Sequence, residues 1–273
     1  MSDRLFPALL KYWRGRSGLS QLDLALAADV SSRHLSYLET GRAKPSEAMV
    51  LRLFSTMDVP LRHRNEALVA AGFVRRFDEP VMADLPAPVQ AAIAQMLHQQ
   101  EPFPMTVLAA DYRIVDRNAA AAAVFSRIVE DPARLLSTSL DMVALIFDPA
   151  LAQNAFVDWP NTARRMLHRL QRELLRTGDE RLGALLDRAL QYPGVDPSWR
   201  HPDDADRADA VLEVHLQRGD LKLGFLTTLT AFTSPGSISL EELRLESYFP
   251  LDDITREFCL SLASRHGSRQ EGP

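Results

Sequence analysis

Apolar residues recur three and four positions apart through the first 73 residues, and most of these stripes begin near a hydroxyl residue or a proline. This period is that of amphipathic helices, and the polar residues mark helix starts. In the first stripe Leu5, Leu9 and Trp13 lie four apart, which predicts a single buried face. The whole pattern predicts five short helices, over residues 5–16, 20–28, 31–39, 45–57 and 61–71.

The second and third predicted helices are joined by a short turn and have the proportions of a helix-turn-helix. Ser20 is a hydroxyl N-cap with Asp23 three residues on, and Ser31 is the N-cap of the next helix. Leu35 and Leu38 supply the buried face of that third helix. The opposite face presents Ser32, Arg33, Ser36 and Tyr37.

A thin polar face of this kind fits the major groove of DNA, which is ~12 Å wide. Near the helix N-terminus, Arg33 can donate two hydrogen bonds to O6 and N7 of a guanine, worth ~1–3 kcal/mol of base discrimination. Arg42 and Lys44 lie just after this helix in the chain, where they would contact the phosphates of the DNA backbone. The alternative is a small helical domain whose polar face is simply solvated.

Two motifs resemble the phage-repressor-like (Xre/Cro) helix-turn-helix family: GLSQLDLA at residues 18–25 and SSRHLSYLETGRAKPS at residues 31–46. The resemblance implies a five-helix, lambda-repressor-like, all-α DNA-binding domain over residues 1–75. It also implies a buried ion pair between Arg14 and Glu39, which would link the first and third helices. The implied DNA contact residues are Gln21, Ser31, Ser32, Arg33, His34, Ser36, Tyr37, Arg42 and Lys44.

The resemblance gives most of these residues a role. Gln21 is expected to contact a phosphate and brace the reading helix. The base-reading positions are Ser32, Arg33 and Tyr37, and the positions that contact the DNA backbone are His34, Arg42 and Lys44.

Two features differ from the family pattern. Asp29 stands in the turn where glycine is common, and it tolerates a positive φ less freely. Leu22 and Leu26 stand in the second helix where the family is usually polar. These leucines are either isolated surface residues or a surface that docks on the second domain or on a dimer partner.

The rest of the chain shows a different pattern. Residues 76–103 are expected to form a proline-rich linker and a connecting helix, and residues 104–265 a small sheet flanked by helices. Residues 211–232 alternate on both sides of a turn at 218–220, the strongest hairpin signal of the chain. Further predictions are an early hairpin over 104–118, helices over 138–147, 161–177, 179–191, 239–248 and 252–265, and a disordered tail over 266–273.

Charge is distributed unevenly between these two parts. Residues 1–77 contain 12 Lys and Arg against 7 Asp and Glu, a net charge of +5, whereas residues 78–273 contain 19 against 29, a net charge of −10. Only the first part is therefore expected to meet a polyanion. A single cysteine, no secretion signal and no apolar run long enough to cross a membrane indicate a cytoplasmic protein.

No catalytic or metal-binding constellation stands out in the second part. The seven histidines are scattered, and Asp203, Asp204, Asp206 and Asp209 lie in a proline-flanked loop that is best explained by solvation. We therefore predict no enzymatic activity, no metal and no cofactor. An enzyme with an appended DNA-binding domain, and a ligand-independent regulator or antitoxin-type interaction module, stay open as alternatives.

The predicted helix over 161–177 has an arginine stripe beside an apolar one. Arginines on an acidic domain usually balance neighbouring carboxylates. The alternative is that Arg165, Arg169 or His168 binds the acidic head group of a ligand.

Several features over residues 85–255 resemble the MmyB-type regulator ligand-binding domain: Asn118 opening a helix, SLDMVALIFDP at 139–149, Trp159 before the arginine-rich helix, and the stretch from 228 to 253. The resemblance implies an α+β, PAS-like fold with an apolar pocket for a fatty-acid-like ligand. For any single candidate pocket residue, ordinary core packing is the simpler explanation. Besides the three head-group candidates, these are Val107, Phe125, Met142, Phe147, Trp159, Leu170, Phe225 and Leu229.

Together these observations predict a transcriptional regulator that binds double-stranded DNA sequence-specifically. A single reading helix contacts few base pairs, so a homodimer on a palindromic operator is expected, with half-sites about one helical turn (~34 Å) apart or a multiple of it.

Overall fold

The computed structural model describes residues 5–77, 85–132, 134–137, 140–200, 213–232 and 237–270. The chain divides into two compact units. The first comprises Met1–Val81 and Thr233–Glu241, and the second comprises Met82–Phe232 and Glu242–Pro273. The acidic loop with Asp203 to Asp209 lies outside the described residues.

The first unit is helical, as predicted. Its helices all begin and end within two residues of the predicted bounds. They are α1 (Leu5–Arg16), α2 (Gln21–Ala27), α3 (Ser32–Glu39), α4 (Glu47–Thr56) and α5 (Leu61–Ala70). Side chains from all five helices meet in one core, whose fully buried members include Leu10, Leu24, Leu35, Leu38, Leu53, Phe54 and Leu68.

The predicted buried face of α1 was correct for Trp13, while Leu9 is only partly buried against the core and Leu5 was wrong. Leu5 is 55% exposed, and the residues that reach the core are Phe6, Leu10 and Trp13. These three are spaced by four and three residues and therefore also share a helix face. Two overlapping apolar stripes share Trp13 in this helix, and the one that is buried carries Phe6 and Leu10 in place of Leu5 and Leu9.

The second unit is an α+β fold built on one antiparallel sheet, which confirms the predicted fold class. Its strands are β1 (Met105–Leu108), β2 (Ile114–Arg117), β3 (Glu213–Arg218), β4 (Leu221–Ala231) and β5 (Arg244–Pro250), in the order β2-β1-β5-β4-β3. Its helices are α6 (Ala87–Gln100), α7 (Ala119–Ile128), α8 (Arg134–Ser137), α9 (Met142–Phe147), α10 (Trp159–Thr177), α11 (Glu180–Ala189) and α13 (Asp253–Gln270). The short helix α12 (Ile238–Glu242) ends at Glu242, the first residue of the second segment of this unit.

The predicted helix over residues 239–248 is a short helix followed by the central strand β5. Leu240 and Leu243 have a helical spacing, whereas Leu243 and Leu245 are two positions apart, the spacing of a strand. In the structure β5 pairs with β1 on one side and with β4 on the other. These partners lie far away in sequence, so no local signal shows that this segment pairs between them at the centre of the sheet.

The ends of the second unit extend beyond the predicted bounds. The connecting helix α6, predicted together with the linker, is part of this unit. Helix α13 continues to Gln270, so residues 266–270, predicted as a disordered tail, are helical. Residues 271–273 lie outside the described part of the chain.

The described residues contain neither a membrane-spanning helix nor a cluster of metal ligands. None of the helices among them is both long and apolar enough to span a bilayer. Within the same ranges no three His, Cys, Asp or Glu side chains come close enough together to hold a metal ion.

Candidate DNA interface and ligand cavity

Local hydrogen bonds fix the junction between α2 and α3. The Ser20 side chain accepts from the backbone N–H of Asp23 while the Asp23 carboxylate accepts from that of Ser20, a complete capping box. Ser31 caps α3 by accepting from the N–H of His34 at 3.1 Å. Asp29, in the turn, has φ of 52°, the left-handed conformation that an aspartate tolerates at modest cost.

The packing of α3 leaves one polar face outside. Leu35 and Leu38 are completely buried. The three residues at the start of the helix, Ser31, Ser32 and Arg33, are exposed, and His34, Ser36 and Tyr37 are half-buried. The structure thus brings the candidate base-reading residues together on one exposed face of the unit. Arg42 and Lys44, on the loop that follows, are exposed as well.

The ion pair implied between α1 and α3 is present. Arg14 Nε lies 2.5 Å from Glu39 Oε1, and Arg14 Nη2 donates to Glu39 Oε2 at 3.1 Å. Gln21 Nε2 donates to the same Oε2 at 2.7 Å. The predicted bracing role of Gln21 therefore has a contact in the structure, because its amide ties the start of α2 to the end of α3.

Burial and pairing act in opposite directions on Glu39. Burial raises the pKa of its carboxyl, but the hydrogen bonds from Arg14 and Gln21 and the positive charge of Arg14 outweigh burial and leave that pKa below its ordinary value. The hydrogen bond to Glu39 raises the pKa of Arg14. Both groups are therefore charged at neutral pH.

Leu22 and Leu26 lie on the outer face of α2. They are 67% and 81% exposed. Within the first unit they are thus surface residues, as the departure from the family pattern suggested.

A cavity of about 80 Å³ lies in the second unit, between the sheet and helices α7, α9 and α10. Its wall is mostly apolar, and four charged residues belong to it: Arg165, Arg169, Glu213 and Glu246. The other lining residues are Phe125, Ile128, Met142, Leu145, Ile146, Phe156, Thr162, Met166, Val214, Leu216, Thr227 and Tyr248.

A buried polar cluster forms one side of this cavity. Arg169 Nη1 donates to Glu246 Oε1 at 3.3 Å, and the Tyr248 hydroxyl donates to Glu246 Oε2 at 3.0 Å. Arg169 Nη2 is buried and has no hydrogen-bond partner among the described residues. Burial and the neighbouring Glu246 carboxylate raise the pKa of Tyr248 well above its ordinary value, so its hydroxyl keeps its proton.

Tyr112 contacts this cluster through its ring and has a strained backbone conformation. Its φ of 59° is rare for a bulky side chain, and its ring lies 5.1 Å from the Arg169 guanidinium carbon. Burial raises the pKa of Tyr112 as well. The contact fixes the guanidinium against an aromatic face at the edge of the cavity.

Four of the predicted pocket residues line this cavity: Phe125, Met142, Arg165 and Arg169. Thr162, Arg165, Met166 and Arg169 occupy one face of α10 at spacings of three and four residues. His168 and Leu170 fall to either side of that face, and both are buried in the protein instead.

The other predicted pocket residues do not line this cavity. Val107 pairs with Leu245, one position away from the Thr106–Glu246 pair, so it is on the opposite face of the sheet from the cavity. Phe225 packs edge-on against Tyr248 behind the lining. Leu229 is the cross-strand partner of Glu246 and shares its sheet face, but it is not among the lining residues. Phe147 and Trp159 pack against each other, with ring centroids 6.2 Å apart.

Sequence reasoning missed Glu246 and Tyr248, which supply the polar side of the cavity. The stretch LRLESYF at 243–249 alternates, and reading it with a period of two would have placed these residues on one face of a strand. Met166 was recognised as apolar but not as a cavity residue, because the sequence does not show which part of a buried stripe faces a void.

Two family models match this chain. The family model described as "MmyB-like transcription regulator ligand binding domain" matches residues 89–262, more than half of the chain. The chain belongs to this family of MmyB-like transcription regulators. A helix-turn-helix model matches residues 10–63, which include α2 and α3. This MmyB-like chain is therefore a DNA-binding transcription regulator with a ligand-binding domain, as the two resemblances predicted.

Other comparisons give less. The search of curated proteins found no match. Among solved structures, "Structure of an RNA-binding Light-Oxygen-Voltage Receptor" aligns with 12% sequence identity and a TM-score of 0.29, over 96% of this chain and 67% of that chain.

Proposed function

We propose that this MmyB-like regulator binds DNA sequence-specifically through α3, as a homodimer, and that a small hydrophobic acid in the cavity of the second unit modulates its activity. The observation that carries the first part is the division of α3. Leu35 and Leu38 are fully buried, while Ser32, Arg33 and Tyr37 are presented outward. A helix of this kind can enter a major groove without exposing its core side.

The proposed roles at the interface separate base reading from phosphate contact. Arg33 stands in the first turn of α3, where a guanidinium can reach a base edge. Arg42 and Lys44 lie beyond the helix and would contact the DNA backbone without reading sequence.

A titration at several salt concentrations tests these roles. Arg33→Ala should reduce the preference for operator over scrambled duplex, whereas Arg42→Ala should weaken binding to both and lower the salt slope by about 1. Arg113→Ala, an exposed arginine of the second unit, is the control and should change neither. Equal losses from Arg33→Ala and Arg42→Ala on both duplexes would contradict the separation.

The homodimer follows from the size of the reading helix. Helix α3 has eight residues and is therefore about 12 Å long, enough for only a few base pairs. Two copies on a palindromic operator would double the contacts. Native mass spectrometry of the protein–DNA complex tests the stoichiometry, and footprints with a single protected half-site would overturn it.

The proposed ligand is an acid with an apolar tail. The apolar lining would hold the tail, and the unpaired Nη2 of Arg169 could donate to a carboxylate oxygen. The cavity of about 80 Å³ is smaller than a roughly 150 Å³ cavity that holds benzene. A long acyl chain such as a fatty acid therefore requires the flexible side chains of Met142 and Met166 to move.

Filling the cavity tests the ligand proposal. Dodecanoic acid should bind the full-length protein, and Met166→Trp should abolish that binding because the ring would occupy the cavity. Leu175→Trp on the same helix is the control, since Leu175 is 71% exposed and outside the lining. Failure of the wild-type protein to bind the acid, together with no small molecule released on denaturation, would favour a ligand-independent regulator.

A further inference from the structure

Arg33 and Tyr37 are already joined before any DNA is present. Arg33 Nε donates to the Tyr37 hydroxyl at 3.0 Å, and the guanidinium carbon lies 5.4 Å from the centre of the tyrosine ring. The two residues are four positions apart on α3, the spacing at which helical side chains meet on one face. Both belong to the exposed polar side of the helix.

Tyr37 is itself fixed by the backbone of the loop that follows. Its carbonyl oxygen accepts from the N–H of Arg42 at 2.8 Å and from that of Ala43 at 3.2 Å. Gly41 makes this turn possible with φ of 73°. The hydroxyl that receives Arg33 therefore projects from a well-anchored residue, half-buried against the unit.

The hydrogen bond occupies one particular nitrogen of the guanidinium. Nε is engaged by Tyr37, while the terminal nitrogens Nη1 and Nη2 have no acceptor among the described residues. A guanine edge presents two acceptors, O6 and N7, and an arginine can bind both at once. With Nε held, the pair of donors left for that contact is Nη1 and Nη2.

We infer that Tyr37 is a positioning residue for Arg33, and that α3 reads a guanine end-on through Nη1 and Nη2 of a guanidinium that Tyr37 holds in place. This inference rests on the proposed function of α3 as the reading helix. It changes the role expected for Tyr37, from reading a base itself to orienting the arginine that does. An ordered arginine loses fewer rotamers on binding, which favours discrimination between bases.

The test uses the full-length protein and a binding site obtained by selection from a randomised duplex library. The wild-type protein should select a guanine that depends on Arg33, and Arg33→Ala should lower discrimination at that position by about 5- to 150-fold. Replacing this guanine by 7-deazaguanine, which lacks the N7 acceptor, should weaken the wild type but have no further effect on Arg33→Ala.

The decisive variant is Tyr37→Phe, which keeps the ring and removes the hydroxyl. It should select the same guanine with discrimination lowered by about 2- to 10-fold, while its affinity for scrambled duplex and its unfolding temperature stay at the wild-type values. Tyr12→Phe is the matched control. The Tyr12 hydroxyl accepts from Arg16 Nη1 at 2.7 Å, an equivalent pair on α1, and its removal should leave base discrimination unchanged.

Two results would overturn the inference while leaving the proposed function intact. In one, Arg33→Ala changes the selected guanine but Tyr37→Phe does not. In the other, Tyr37→Phe alters the preference at a different base pair, which would make Tyr37 a reader of its own base. If Arg33→Ala selects the same sequence as the wild type, the proposed role of α3 itself fails.

Discussion

The carboxylate of Glu39, at the end of α3, accepts hydrogen bonds from Arg14 on α1, and the side chains of Arg14 and Glu39 are only 16% and 3% exposed. This pair connects α3 to α1. Helix α3 has only eight residues, too few to be stable alone. Tertiary contacts such as this ion pair therefore stabilise it more than its own helix propensity does.

Removing one partner of this pair should be costly. Glu39→Gln would leave the Arg14 charge buried without a counter-charge, and we expect a loss of about 3–5 kcal/mol in the free energy of unfolding. Glu47→Gln is the control, because the Glu47–Arg76 pair is largely exposed and should contribute about 0–1 kcal/mol. Urea denaturation of each variant measures the difference, and equal losses would contradict a buried pair.

The same pair predicts how stability depends on pH. The pKa of Glu39 is lower in the folded protein than its ordinary value, so its contribution is fully present above the ordinary value and is lost as pH falls through the folded one. The difference in unfolding free energy between wild type and Glu39→Gln should therefore be constant from about pH 6 to 8 and shrink below about pH 4. A difference that grows on acidification would show the opposite sign and rule this out.

Arg169 and Glu246 form the corresponding pair in the second unit, 16% and 7% exposed. Arg169→Met should cost about 3–5 kcal/mol because it leaves the Glu246 carboxylate buried and unpaired. The double variant Arg169→Met/Glu246→Leu should recover most of this loss. Arg218→Met, which breaks the exposed pair with Glu130, should cost about 0–1 kcal/mol. Urea denaturation of all three variants measures these losses, and equal losses from Arg169→Met and Arg218→Met would contradict a buried pair.

Helix α5 has a long-range N-terminal contact. Its N-cap is Pro60, which makes no side-chain cap hydrogen bond, and Glu241 Oε2 accepts from the N–H of Leu61 at 2.8 Å instead. A carboxylate at a helix N-terminus typically contributes ~0.3–1 kcal/mol. Glu241→Gln should therefore speed amide exchange at the first turn of α5 by a few-fold, in proportion to that energy.

The neighbouring residue in the chain provides the control for this measurement. Glu242 binds Arg181 of the second unit at 2.8 Å, so Glu242→Gln should leave exchange in α5 unchanged. If the two variants affect α5 equally, the contact between Glu241 and Leu61 is not what protects it.

Sequence reasoning succeeded where a structural feature depends on nearby residues. The caps at Ser20 and Ser31, the positive φ of Asp29 and the polar face of α3 all follow from side chains within a few positions of one another. The hairpin of β3 and β4 belongs to the same group, since Gly219 turns the chain between two alternating runs.

Sequence reasoning succeeded less well for the residues that line the cavity. The face of α10 that carries Arg165 and Arg169 was recognised as a candidate, but Val107 and Phe147 were placed in the pocket only as apolar residues. Whether an apolar side chain lines a cavity or fills the core depends on strand register and on which helix covers it, and neither is encoded locally.

By itself the sequence determined the five helices of the first domain and the residues that face outward from α3, because helix caps and a 3.6-residue period act over short distances. The tertiary structure alone decided that residues 244–250 form the central strand, that Glu246 meets Arg169 beside a cavity, and that Glu241 reaches the first turn of α5. Each of these joins segments that are far apart in the chain, so it arises only when the fold brings them together.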